Sequence, residues 1–400
     1  MAEIGETPPE VPEDPVDDRS DDDVVVRTPK TISRRAVLGG LLGLGALSTK
    51  TGRRLASVPL EKLGILDTNT DKNRELPPLP EFKSPDPDQR VLVVPLLDGG
   101  EKEPLTQAQI GKALESVTSN YDRFSFGNLQ YSFKVLPWQT ADLPSDRVNL
   151  GDVLKVGDEA LKSENIERLE EYQTRLYILP PGKDDKWGGR GSYSPINGYK
   201  RAVSHVYDND DFTFSKVAIH ELGHTLGIPH ANSIDNADKS VEYGGSDDPM
   251  GSTGNTLGYE LNAPQRVAMG WVSRDQVQSV VNDGEFTLYP LDIRYSEQEA
   301  VSKVLRFKKP NTNEVYYLSL RAQASGNFSL ELHRWNEKHE SPSLEVNVPV
   351  KNKDVGWIDN EEEFYDEENG IRIKQLSRVS LYSRTPDAGT VRLQVTFDKK

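Results

Sequence analysis

Residues 212–230 read FTFSKVAIHELGHTLGIPH. Wound as a helix, this stretch puts His220 and His224 roughly 40° apart on one face, with Glu221 at its flank, so two imidazoles can share one metal ion. Ile219, Leu222 and Leu226 fall roughly 200° to 260° round from His220 and make a stripe for the core. Gly227 can take positive φ and end the helix, and Ile228 and Pro229 return the chain so that His230 approaches as a third ligand. Three neutral imidazoles leave the fourth tetrahedral position open, which is the arrangement of a catalytic zinc. Such a zinc lowers the pKa of its water to about 7, and Glu221 can take the proton as that water attacks a carbonyl. The chain has six histidines and no cysteine, so a zinc site must be built from His, Asp or Glu. A pattern of this specificity arises by chance in such a chain with probability on the order of 10⁻⁵.

The sequence around this helix alternates between two periodicities. Upstream, VLVVPLL from Val91 reads as a buried strand, PLTQAQIGKALESVTSNYDRF as a helix, LQYSFKVLPW as a strand, residues 149–174 as a second helix and RLYILP as a third strand. YKRAVSHVY then reads as an edge strand after a Gly-rich loop, and an extended peptide substrate is expected along residues 198–207. Strands and helices in alternation predict an α/β (α+β) unit over residues 90–272, with a mixed sheet and an active-site helix. Beyond Trp271 the pattern turns to period two in EFTLYPL, VYYLSLR, SLELHRW, IRIKQL and VRLQVTF, which predicts an all-β, sandwich-like domain over residues 273–400.

HELGHTLGIPH resembles the long zinc signature of the metzincin peptidases, whose three histidines are ligands and whose glutamate is the base. The resemblance also implies a methionine-containing turn beneath the metal, and SDDPMGS places Met250 twenty residues after His230. VEYGGSDDPMGS, followed by LNAPQRVAMGW, is similar to the gametolysin family, as are YDRFSFGNLQYSF, YYLSLR and GIRIKQLS. That likeness implies a zincin-like fold, one zinc ion and endopeptidase action on extracellular or cell-wall proteins. Gly245 departs from the family pattern, standing where an acidic residue often follows the Tyr-Gly pair. Some metzincins use a tyrosine near the methionine turn to stabilise the transition state, and Tyr243 and Tyr259 are the residues on offer. Asp208, Asp210 and Asp211 could hold calcium, but a solvated acidic loop before a helix explains them as well. The acidic run 359–368 reads as solvated too, and His205, His333 and His339 as structural or exposed.

The N-terminal ninety residues differ in character. Residues 1–23 are rich in Pro, Asp and Glu and read as disordered. Ser33, Arg34, Arg35 and Leu38, followed by a Gly-rich apolar stretch from Ala36 to Thr49, resemble a twin-arginine export signal, with a cut expected after Ser48. Residues 1–48 are thus expected to be leader and signal, and Pro-rich 49–89 a linker or an inhibitory pro-segment reaching the metal through Asp67 or Asp71. The formal charge of −16 speaks against nucleic acid as a partner. Membrane contact is expected only during export. The sequence therefore reads as an exported zinc endopeptidase acting on protein or peptide substrates. Its rivals are a catalytically silent metal-binding adhesion or scaffold protein and a zinc hydrolase of non-peptide amides.

Overall fold

The computed structural model describes residues 74–398, apart from 80–83, 145–149, 164–168, 181–187, 197–198, 206–210, 235–239, 246–247, 252–259, 296–300, 311, 313, 323–327, 337–343, 347–356, 359–362 and 378–388. All of these described residues belong to one compact unit, Asp67–Lys400. Arg34, Arg35, Asp67, Asp71, Asp208, Asp210, Tyr259 and His339 lie outside them.

The first sheet grows from β1 (Asp88–Leu97), whose VLVVPLL run is buried on both faces, as parallel strands covered by helices are. Strands β2 (Gln130–Val135), β4 (Thr174–Leu179) and β6 (Tyr199–His205) extend it in parallel, and β3 (Gln139–Thr140) pairs with the end of β1. The order is β2-β1-β4-β6-β5, with β5 (Gly189–Ile196) antiparallel to β6. The outer strand is therefore β5, and β6, expected at the edge, lies between β4 and β5. GRGSYSPI lacks an apolar alternation and carries two glycines and a proline, so it reads as a loop, yet its glycines are what let it lie close to a helix.

One face of this sheet, through Leu92, Val94, Tyr177 and Val203, packs on α2 (Leu150–Ser163). The other face, through Val91, Val93, Leu176, Ile178 and Ala202, packs toward α1 (Gln107–Phe124) and α3 (Asp211–Leu226). Helix α1 starts at a capping box, with Thr106 accepting from the Gln109 amide and the Gln109 side chain returning to the Thr106 amide. Two buried tyrosines tie α3 down: Tyr121 donates to the Ile219 carbonyl at 2.7 Å and Tyr131 to the Leu222 carbonyl at 3.4 Å.

The remaining strands form two sheets. A four-stranded sheet has the order β10 (Gly284–Leu288), β18 (Val391–Phe397), β17 (Ile371–Gln375), β16 (Glu363–Asp366). A larger sheet of eight strands includes β9 (Val277–Ser279), β11 (Val304–Lys308), β12 (Glu314–Ala322), β13 (Phe328–Asn336), β14 (Leu344–Val346) and β15 (Trp357–Ile358). It also takes in β7 (Ala231–Ile234) and β8 (Ser240–Val241), which directly follow α3, because β7 pairs in parallel with β14.

The two-residue period of β12 explains how this sheet is used. Tyr316, Leu318 and Leu320 face a core shared with Leu288, Ile373, Leu393 and Val395 of the four-stranded sheet. Val315 and Tyr317 face the other way, into the core that also contains Phe214, Leu222 and Met250. The polar residues of the alternation are buried on that second face. Arg321 and Glu331 pair at 2.6 Å, and Arg266 of α4 (Ala263–Ala268), fully buried, pairs with Glu260. His333 is buried as well, in line with a structural role. No described helix is long and apolar enough to cross a membrane.

Candidate metal centre

Helix α3 brings His220, Glu221 and His224 together as its 3.6-residue period requires. The helix ends at Gly227, whose φ of +91° lies in the region that favours glycine, and the Ile228 amide donates back to the Gly223 carbonyl at 3.1 Å. That reversal delivers His230 to the first two imidazoles. The ring centroids are 4.8 Å apart for His220–His224, 4.7 Å for His224–His230 and 5.3 Å for His220–His230. One nitrogen from each of the three lies within 4.8 Å of the other two.

The outer nitrogens decide which ring atoms face inward. His220 Nδ1 donates to the Pro249 carbonyl at 2.8 Å, and His224 Nδ1 donates to the Ile228 carbonyl at 2.9 Å. His230 Nδ1 lies 2.9 Å from Glu242 Oε1. Carbonyl and carboxylate oxygens only accept, so the Nδ1 protons are committed outward and the Nε2 lone pairs are left for an ion. His220 Nε2 and His224 Nε2 are 3.1 Å apart, close to the roughly 3.3 Å spacing of two nitrogens bound about 2.0 Å from a tetrahedral centre.

Electrostatics favour the same state. Burial, and then the neighbouring imidazoles, pushes His220 down to about 3, and burial followed by His230 pushes His224 down to about 4. Both rings are neutral at pH 7, as ligands must be. Glu221 is 5 % exposed, its Oε2 has no hydrogen-bond partner among the described residues, and burial raises it to about 8 against a partial offset from Arg190. A bound cation would lower that value again.

Beneath the helix, Met250 is fully buried, and a Cβ added to Gly223 would stand 2.5 Å from its sulfur. Asp248 holds the turn by accepting from the Met250 amide at 2.7 Å and from the Asn262 amide and side chain at 2.9 and 2.8 Å. The same turn supplies the Pro249 carbonyl to His220. Above the site, a Cβ on Gly189 would stand 2.6 Å from Glu221 Cγ, and one on Gly191 would overlap the Glu221 carbonyl oxygen. Tyr243 adopts φ +60° and lays its ring 4.1 Å from that of His230.

The family model for gametolysin peptidase M11 matches residues 109–343. The chain belongs to the gametolysin peptidase family. This gametolysin-family chain is 32% identical over 114 residues to an autolysin of Chlamydomonas reinhardtii, across 28% of its own length and 16% of the relative's. It thus spans about a sixth of that curated relative. Among solved structures it overlaps metalloproteinase-II from Bacteroides fragilis with a TM-score of 0.31 at 15% identity, covering 49% of this chain and 55% of the other. OgpA from Akkermansia muciniphila overlaps with a TM-score of 0.29 at 13% identity, covering 68% and 98%. Overlaps this small define no shared fold.

The sequence points to His220, Glu221, His224, His230, Met250 and Tyr243, and the fold gathers all six. Asp211 opens α3 and lies 3.1 Å from the exposed Lys112, an ordinary surface pair. Glu242, Asp248, Gly189 and Gly191 are the residues that sequence reasoning misses. Gly245, where the family pattern suggests an acid, is buried with its amide on the Ala231 carbonyl, and a Cβ there would stand 2.9 Å from that oxygen. The carboxylate at His230 belongs to Glu242, three residues earlier.

Proposed function

We propose that this gametolysin-family chain is an exported zinc endopeptidase that cuts extended segments of extracellular or cell-wall proteins. The observation that carries the reading is the convergence of one nitrogen from each of three histidines, whose Nδ1 atoms have partners, beside a buried carboxylate oxygen that lacks one among the described residues. His220, His224 and His230 would hold the ion, and three imidazoles without a thiolate suit zinc. Bound zinc would polarise the scissile carbonyl and acidify a water.

Glu221 then acts as the base: its unpartnered Oε2 accepts the water's proton and returns it to the departing amine. Tyr243 stands beside His230, where its hydroxyl can donate to charge developing on the carbonyl oxygen. Strand β5 offers the substrate a main-chain edge directly above Glu221, which moves the expected peptide track from residues 198–207 to 189–196. We read residues 90–272 as a zincin-like catalytic region and 273–400 as a sandwich-like β region, joined by a core to which both contribute. The Arg34–Arg35 segment supports export by the twin-arginine route.

Purified full-length protein is expected to carry about one zinc per chain and to cut a denatured protein at internal bonds. Chelation should abolish cleavage and added zinc restore it, while Glu221→Ala should keep zinc and lose activity. Cleavage that survives Glu221→Ala would remove that residue from its role, and zinc uptake without any cleavage would replace the peptidase by a silent metal-binding scaffold. An exported protein that still begins at Met1 would refute the cleaved signal.

A further inference from the structure

The three imidazoles are anchored in two different ways. His220 and His224 donate to main-chain carbonyls, Pro249 O and Ile228 O, fixed by the methionine turn and by the end of α3 itself. The Nδ1 of His230 instead meets a side-chain carboxylate, Glu242 Oε1 at 2.9 Å, on the turn that follows β8. A carboxylate is the stronger acceptor and raises the basicity of the opposite ring nitrogen more than a carbonyl does.

The turn that presents Glu242 is held by hydrogen bonds from its main-chain amides. Gly245 donates to the Ala231 carbonyl at 3.0 Å, Gly244 to Val241 O at 3.1 Å and the Tyr243 amide to Asn232 Oδ1 at 3.1 Å. The Gly245 and Tyr243 bonds lock the turn onto the strand that begins one residue after His230. They also sustain the positive φ of Tyr243, a conformation that disfavours a residue with a side chain. In that conformation two consecutive residues reach one imidazole, the Glu242 carboxylate at Nδ1 and the Tyr243 ring 4.1 Å away.

We propose that Glu242 is a positioning residue for the metal site, fixing the orientation of His230 and committing its Nε2 to the ion. The inference rests on the zinc reading above. The competing account is an ordinary surface ion pair, since the Glu242 side chain is 65% exposed, and such a pair contributes little to anything measurable. The two accounts differ in what happens to metal affinity.

The test is zinc affinity of the full-length chain, measured by competition with a chromophoric chelator, for wild type, Glu242→Ala and Glu242→Gln. Loss of an outer-sphere partner of this kind weakens metal binding about 10- to 100-fold. Glu242→Ala is expected in that range, with Glu242→Gln between it and wild type because its amide oxygen still accepts from Nδ1. Cobalt(II) in place of zinc should show a changed d–d spectrum in Glu242→Ala, while the Tm of the metal-free protein stays unchanged in both variants. Zinc affinity within about twofold of wild type and an unchanged cobalt spectrum would overturn the inference. So would a loss of affinity that only tracks a lowered metal-free Tm in both variants. Wild type that takes up no zinc would instead defeat the zinc reading itself.

Discussion

Gly191→Ala tests whether β5 is held as closely over the metal helix as the structure places it. A Cβ at residue 191 overlaps the Glu221 carbonyl oxygen and stands 2.8 Å from His224 Cβ. The overlapped atom is backbone of a helix pinned by Tyr121 and Tyr131, so no flexible side chain can give way. The strand must withdraw by roughly 1 Å, a displacement that costs on the order of 10²-fold when it moves groups that position a substrate. Overpacking of this kind also costs about 1–3 kcal/mol of stability, a Tm loss of a few degrees. Gly99→Ala is the matched control, because nothing lies within 4 Å of a Cβ there. The measurement is kcat on a denatured protein substrate together with thermal unfolding and zinc content for both variants. Gly191→Ala with the activity and Tm of Gly99→Ala would refute the close packing of β5 on α3 and, with it, the substrate track above Glu221.

Met250→Ala should destabilise the chain by about 2–5 kcal/mol, since it empties a fully buried position under Gly223, with Met250→Leu below about 1.5 kcal/mol; denaturant unfolding reads both. Arg321→Met removes the guanidinium that pairs with the buried Glu331 carboxylate and should cost about 3–5 kcal/mol, and Arg321→Met with Glu331→Leu should recover most of it; a double mutant no better than the single would discount the pair. Stability should also fall in acid because of His333, which burial and then Arg321 push down to about 3. Glu331 stands 3.6 Å from His333 but spends its charge on Arg321 at 2.6 Å. The folded state keeps this ring neutral, so as pH drops below about 6.5 only the unfolded chain takes the proton, costing about 1.4 kcal/mol per pH unit toward pH 3. His333→Gln should flatten that slope in urea midpoints taken between pH 7 and 4, and an unaltered slope would count against a neutral buried ring.

The legible parts of the chain are those in which the signal is local. His220, Glu221 and His224 lie within one turn of helix, Gly227 announces its end, and VLVVPLL and RLYILP declare buried strands by composition alone. Met250 is readable through its neighbours Pro249 and Gly251. What escapes is set by contacts between distant residues. GRGSYSPI has no apolar alternation, and the reason for Gly189 and Gly191 lies on α3. Strands β7 and β14 are four and three residues long, too short to show a period, and their pairing joins segments more than a hundred residues apart. In VYYLSLR and SLELHRW the alternating polar residues suggest a solvated face, whereas Arg321, Glu331 and His333 are buried. Glu242 carries no local mark, because a carboxylate becomes a histidine's partner only when the chain has folded.

The pairing of β7 with β14 also sets a timetable. The strand that begins at Ala231, one residue after His230, lies between β8 and a partner made of residues 344–346. A ribosome adding about 5–20 residues per second needs on the order of ten seconds to travel from the one to the other. Throughout that interval β7 has one edge unfilled, and its hold on the third histidine is incomplete. The newborn chain therefore completes the sheet beside its third histidine only after most of the molecule has been synthesised.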